Sequence, residues 1–228
     1  MSVHHWRDYI PEDLKQFYRE NKFGGRLGFG KTPAVLIIDM QFGGLGEKGE
    51  PIEISVRKYP HSAGEIGWKA VDYIRELADL ARTKKVPVVY TKMRKPSPGI
   101  KPFRTKFPAS REHTPPRNLE IVDEISPKQG DIVIEKEAYS AFFGTPLLSY
   151  LHQLRTDTLL ITGRTTGSCV RATALDAIQH NFYTVLIEEC VFDRTPATHA
   201  FNLFELDTRF VDVLPLVEAE EYLKSLKQ

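Results

Sequence analysis

Residues 158–177 read TLLITGRTTGSCVRATALDA, and the fold turns on the change of period inside them. Thr158 to Gly163 is a short apolar run closed by a glycine, the pattern of a buried strand. Beyond it Val170, Ala174, Ala177 and Ile178 recur at helical spacing. Cys169 therefore stands in a strand-to-helix turn, where the first N–H groups of a helix lack intrahelical partners. A thiol in that position is expected to gain acidity, because the helix dipole favours its anion. The same N–H groups could hold a developing oxyanion. The other reading is a small buried apolar residue, the usual fate of a free cysteine.

Working outward, four more near-continuous apolar runs flank this one. They are PAVLIID (33–39), VPVVYTK (86–92), DIVIEK (131–136) and YTVLIEE (183–189), and such runs belong to strands covered on both faces. A sixth, RFVDVL (209–214), is shorter. A helix is expected over 65–83, with Trp68, Val71, Ile74, Ala78 and Ala81 on one face, and further crossovers over 145–154, 167–181 and 197–208. Strands alternating with helices imply an α/β fold: a mostly parallel sheet in a three-layer, Rossmann-like arrangement. Residues 1–228 read as a single domain, with 1–30 as an N-terminal extension. Two segments break the rhythm. Residues 42–64 lack a period and read as an inserted excursion after the first strand, and 93–116 form a basic, Pro-rich loop.

Composition narrows the function classes. The 228 residues are 41% hydrophobic and 27% charged with a net charge of +1, which gives no reason to expect nucleic acid as a partner. No apolar run approaches the ~20 residues of a membrane span, and residues 1–21 lack the apolar core of a signal peptide. Cys169 and Cys190 make neither a disulfide framework nor a metal cluster. A cytoplasmic setting, where thiols stay free, is expected.

Ligands of a doubly wound sheet bind at the carboxyl ends of its strands. Those ends carry Asp39, Lys136 and the turn with Cys169: an acid, an ammonium and a thiol. Lys136 would favour the thiolate, and Asp39 could take the thiol proton and return it to a departing amine. Attack on an amide carbon would give a thioester for water to hydrolyse. Each residue also has a plainer reading. An Asp at a strand end often caps a turn, and a Lys in a polar stretch is often solvated.

The segments AVLIIDMQ, EKEAYSAFFGTPL and TGRTTGSCVRATALDA, in that order, resemble three signatures of the isochorismatase-like cysteine hydrolases. The resemblance spans residues 33–213 and implies a sheet of about six parallel strands. It also implies a catalytic triad on Asp39, Lys136 and Cys169. It further implies an oxyanion hole from the backbone N–H groups of Cys169 and Thr165, the latter following a cis Arg164–Thr165 peptide. Among its branches the chain is most similar to the N-carbamoylsarcosine amidases and maleamate amidohydrolases, through LGFGKTPAVLIID, TTGSCVRATALDA and DRTPATHAFNLFELDTRFVDV. In that branch an Arg after the fifth strand binds the substrate carboxylate, a role that falls on Arg194. A planar guanidinium fork suits that task, although an ion pair with Asp193 is the structural alternative. The resemblance also implies a homo-oligomer, a dimer or tetramer.

Nicotinamidases of the same superfamily carry an Asp/His metal site after the second strand. The corresponding YTKMRKPSPG has no histidine, so no metal and no other cofactor is expected. The leading expectation is a metal-independent amidohydrolase that releases ammonia from a small amide or ureido acid. Hydrolysis of a cyclic or larger amide is a second reading, and a non-catalytic binding protein on the same fold a third.

Overall fold

The computed structural model describes residues 5–95 and 115–227. Expectations for the basic loop 93–116 therefore fall almost wholly outside the described residues. The apolar runs form one six-stranded sheet: β1 (Pro33–Ile38), β2 (Val88–Met93), β3 (Ile132–Lys136), β4 (Thr158–Arg164), β5 (Tyr183–Phe192) and β6 (Asp212–Leu214). Their order across the sheet is β3-β2-β1-β4-β5-β6, and every neighbouring pair is parallel. The chain starts at the centre and reverses direction of growth between β1 and β4. That switch point opens a crevice at the carboxyl edge of these two strands.

Eight α-helices are found among the described residues: α1 (Glu12–Glu20), α2 (Phe42–Leu45), α3 (Ile52–Lys58), α4 (Glu65–Thr83), α5 (Leu147–Gln153), α6 (Arg171–Gln179), α7 (Pro196–Arg209) and α8 (Leu216–Ser225). Alternation along β1 explains the layers. Val35 and Ile37 face a core completed by Trp68, Ile74 and Leu77 of α4 and by Ala219 and Leu223 of α8. Leu36 and Ile38 face the opposite core, with Leu147, Ala174, Ala177, Ala200 and Leu203 from α5, α6 and α7. Both clusters are nearly water-free, and the hydrophobic gain of such burial is what offsets the cost of ordering the chain.

Three expectations change. β3 is an edge strand rather than one covered on both faces: Val133 is 43% exposed, and the run alternates instead of staying apolar. The excursion 42–64 is not irregular throughout but holds α2 and α3, of four and seven residues, too short to display a helical period. The helix expected over 167–181 is split into a π-helical turn, Thr166–Val170, followed by α6. The segment Leu216 to Ser225, unassigned from the sequence, forms α8 and seals one edge of the first core.

The N-terminal helix α1 packs on its own domain. Tyr18 lies edge-on to Phe204 of α7 with ring centroids 5.2 Å apart, and Leu14 rests on the second core.

Candidate active site

Asp39 follows the last residue of β1 with φ +51°, a left-handed conformation that Asp tolerates better than most residues. Its N–H donates to Thr91 O at 3.0 Å, and Gln41 N–H donates to its carbonyl at 2.8 Å. The chain therefore bends sharply and the carboxylate stays at the sheet edge. Thr91 Oγ1 donates to Oδ1 at 2.8 Å, which fixes that oxygen. Next to this bend, β4 passes as Gly163 with φ +99°, where a Cβ would collide with the Ile38 carbonyl. Glycine is what lets the nucleophile strand approach the acid strand so closely.

Lys136, the last residue of β3, is 1% exposed. Its Nζ lies 2.7 Å from Asp39 Oδ2 and 3.4 Å from Cys169 Sγ. It also donates to the carbonyls of Ala138 at 2.9 Å and Tyr139 at 3.0 Å. The plainer reading of a solvated lysine thus gives way to an ammonium bound on several sides. Burial alone would push it toward the neutral amine. The charge of Asp39 and the contact with Cys169 outweigh burial and hold it above its ordinary value. The three residues from three strand ends meet.

The thiol departs from what the helix start led one to expect. Burial, then the negative charge of Asp39, push Cys169 up to about 11, against the opposing pull of Lys136. The cysteine sits inside the π-helical turn that leads into α6 and not in the first turn of α6 itself. In the resting site the sulfur is a neutral thiol beside a carboxylate and an ammonium.

The turn that carries the thiol is tied down from two elements. Asp193, just past β5, accepts from Gly167 N–H at 2.8 Å, and His199 Nδ1 of α7 lies 2.9 Å from Thr166 Oγ1. Asp193 reaches the turn because the β4–β5 register slips between Ile161 and Gly163, which carries the end of β5 toward the site. Ser168 and Val170 N–H groups both donate to Thr165 O, while no described acceptor takes the N–H of Thr165 itself. The Arg164–Thr165 peptide is cis.

Arg194 lies at the rim, with Nη2 3.0 Å from His61 Nδ1 of the excursion. Its backbone N–H, rather than its guanidinium, is what contacts Asp193 Oδ1, at 2.8 Å. Two contributors were not assigned from the sequence. Arg164, from the end of β4, donates through Nη2 to His61 O at 3.1 Å, and Gly44 of α2 lies flat against its guanidinium. Cys190, 0% exposed, sits in the first core away from these groups. Among the described residues no cluster of three His, Cys, Asp or Glu side chains forms a metal site, and no described helix is long and apolar enough to cross a membrane.

Comparison with known proteins points the same way. A sequence profile described as Isochorismatase domain matches residues 33–217. Maleamate amidohydrolase of Pseudomonas putida is 34% identical over 210 residues, covering 90% of this chain and 92% of its own. N-carbamoylsarcosine amidase of an Arthrobacter species is 33% identical over 218 residues, 92% of this chain and 78% of its own. Among solved structures, a cysteine hydrolase from Pseudomonas syringae superposes with a TM-score of 0.76 over 86% of this chain and 93% of that one. At 19% identity this likeness speaks for the fold alone.

Proposed function

The chain belongs to the isochorismatase family, and from that premise we propose that it is an amidohydrolase of small carboxylate-bearing amides or ureido acids, working through a thioester on Cys169. The amidohydrolase class is supported by relatives named maleamate amidohydrolase and N-carbamoylsarcosine amidase over nearly the whole chain. The observation that carries the mechanism is the convergence of Asp39 and Cys169 on one buried ammonium, at 2.7 and 3.4 Å.

In this reading Asp39 takes the proton of the Cys169 thiol as the sulfur attacks the amide carbon. The carbonyl π-electrons move to oxygen, and the N–H groups of Thr165 and Cys169 receive that oxyanion. Asp39 then protonates the leaving nitrogen, the C–N bond breaks and ammonia departs. Water adds to the thioester carbon with Asp39 accepting its proton, and collapse returns the acid and the thiol. A neutral resting thiol fits this sequence, because the proton is then delivered by the substrate-dependent step itself. Lys136 stays charged throughout and pairs with Asp39 between transfers. No metal takes part.

Arg194 would grip the substrate carboxylate from the rim. The contact of its guanidinium with the excursion supports a small, covered substrate over a cyclic or larger one. Ammonia release from maleamate, N-carbamoylsarcosine and neutral amides of similar size tests the reading. Turnover of the acidic amides that survives exhaustive chelation and disappears in Cys169→Ala is expected. Full activity in Cys169→Ala would overturn it, as would turnover restored only by added zinc or manganese.

A further inference from the structure

The triad chemistry leaves the charge of Arg164 unused. Its side chain leaves the end of β4 beside the nucleophile turn and runs under the excursion. There the guanidinium occupies the space a side chain on Gly44 would need: a Cβ at that position would collide with Nη1, Cζ and Nε. Nη2 makes its hydrogen bond to His61 O, whereas Nε is closed off from solvent and has no hydrogen-bond partner among the described residues. No described carboxylate forms an ion pair with this guanidinium, and the acid of the triad, Asp39, is already matched by Lys136. Burial pulls Arg164 below its ordinary value, and the surrounding acidic groups only partly offset that pull.

A buried cation without a counter-ion is costly, and it persists where a ligand supplies the missing charge. A tie between β4 and the excursion does not require it, since any neutral amide could donate to His61 O. His61 also brings the second cation near: its carbonyl accepts from Arg164 while its ring contacts Arg194. One histidine of the excursion thus contacts two guanidinium groups.

We propose that Arg164 is a specificity-determining residue that seats the substrate carboxylate from inside the site, through its unpartnered Nε–H and an Nη–H, with Arg194 closing on the same group from the rim. The inference rests on the amidohydrolase reading and adds to it that carboxylate selection comes from the strand that carries the nucleophile. An adjacent N–H pair on one guanidinium matches two carboxylate oxygens, a geometry an ammonium cannot offer.

Three variants separate the roles. Arg164→Gln keeps a donor for His61 O and removes the charge, Arg164→Lys keeps the charge and removes the fork, and Gly44→Ala keeps the guanidinium but displaces it. The readouts are the kcat/KM ratio of maleamate to neutral crotonamide, and calorimetric binding of maleate to a Cys169→Ala background. Losing one partner of a buried charge pair corresponds to about thirty-fold or more. Arg164→Gln is expected to lower both the ratio and maleate affinity by that much, with Arg164→Lys and Gly44→Ala in between. Equal loss on both amides with maleate binding unchanged would make Arg164 a structural tie and overturn the proposal. Should Arg164→Gln fail to fold, the other two decide, and an unaltered ratio in both overturns it. Wild type that hydrolyses neither amide sinks the amidohydrolase reading instead. Maleate binding then decides alone: weakened in Arg164→Gln it upholds the seat, and equal to wild type it overturns it.

Discussion

The carboxyl ends of β4 and β5 each present a cysteine region, and the two regions handle the same chemical group in opposite ways. Burial raises both thiols, Cys169 to about 11 and Cys190 well above the ordinary value. By acidity alone neither stands out as a nucleophile. The difference lies in neighbours. Cys169 has an ammonium at 3.4 Å, feels the charge of Asp39, and is partly reachable from solvent. Cys190 is sealed in the apolar core that α4 and α8 build over the sheet, where burial acts first and the charges of Glu189, Glu76 and Glu220 push the same way. In the proposed reaction Cys169 would thus be activated by a base and a cation beside a neutral thiol, not by a depressed pKa.

The largest expected contrast is catalytic. Cys169→Ser should cost about 10⁴-fold or more in kcat, since removing a nucleophile disables the whole unit. Asp39 is too weak a base to ionise a serine hydroxyl. Cys190→Ala should leave kcat within a factor of about two, because no part of the proposed reaction passes through the core. Steady-state ammonia release on the two purified variants checks this. Comparable losses in both would break the comparison at its root.

Removing the cation while leaving the acid attacks the same contrast through stability. Lys136→Met strands Asp39 as a charge that is 3% exposed, and breaking such a pair costs about 3–5 kcal/mol. Urea unfolding should show that loss at neutral pH. Asp39→Asn combined with Lys136→Met should recover part of it, since no unpaired charge remains. A double variant no better than the single one would mean the pair contributes little.

How far the sequence could have led here depends on the distance over which each feature is encoded. β1, β2, β4, β5 and α4 were legible because burial writes itself into consecutive or periodic apolar residues. β3 misled for the opposite reason: its apolar residues are partly exposed at an edge. The meeting of Asp39, Lys136 and Cys169 was legible only through the rule that sites gather at strand ends, together with the resemblance in three ordered segments. Arg164 was legible as a member of the turn beside the site, but its contacts were not. Its partner His61 lies 103 positions away on an excursion whose short helices carry no period. The same holds for Asp193, which reaches Gly167 through a register slip no residue pattern announces.

Alkylation kinetics sharpen the comparison at the level of protonation. Iodoacetamide reacts with thiolate, so the rate at each cysteine tracks its ionised fraction and its exposure. With Cys169 near 11, the thiolate fraction rises with pH and gains about tenfold per unit until that value is approached. Labelling of Cys169 located by mass spectrometry should thus be about a hundred-fold faster at pH 9 than at pH 7. Cys190 should stay unlabelled until the protein unfolds. A rate at Cys169 that levels off near neutral pH would show a thiolate already formed at rest, and the mechanism would then begin from the anion.

The smallest effect concerns the sealed cysteine itself. Cys190 is 0% exposed among apolar side chains, and serine is nearly the same size but brings a hydroxyl that needs a partner. Leaving that hydroxyl unsatisfied costs about 1–3 kcal/mol on the scale of protein substitutions. For a chain of this length that is a fall in Tm of roughly 2–4 °C per kcal/mol. Cys190→Ala removes a sulfur and leaves a small void, but it adds no polar group, so the alanine variant should be the more stable of the two. The order alanine above serine is the informative result, because it shows that the site selects against polarity rather than for sulfur chemistry. If serine proves as stable as wild type while kcat falls, Cys190 has a functional contact that its apolar surroundings conceal. The two strand ends would then not divide reactivity from packing as their neighbours indicate.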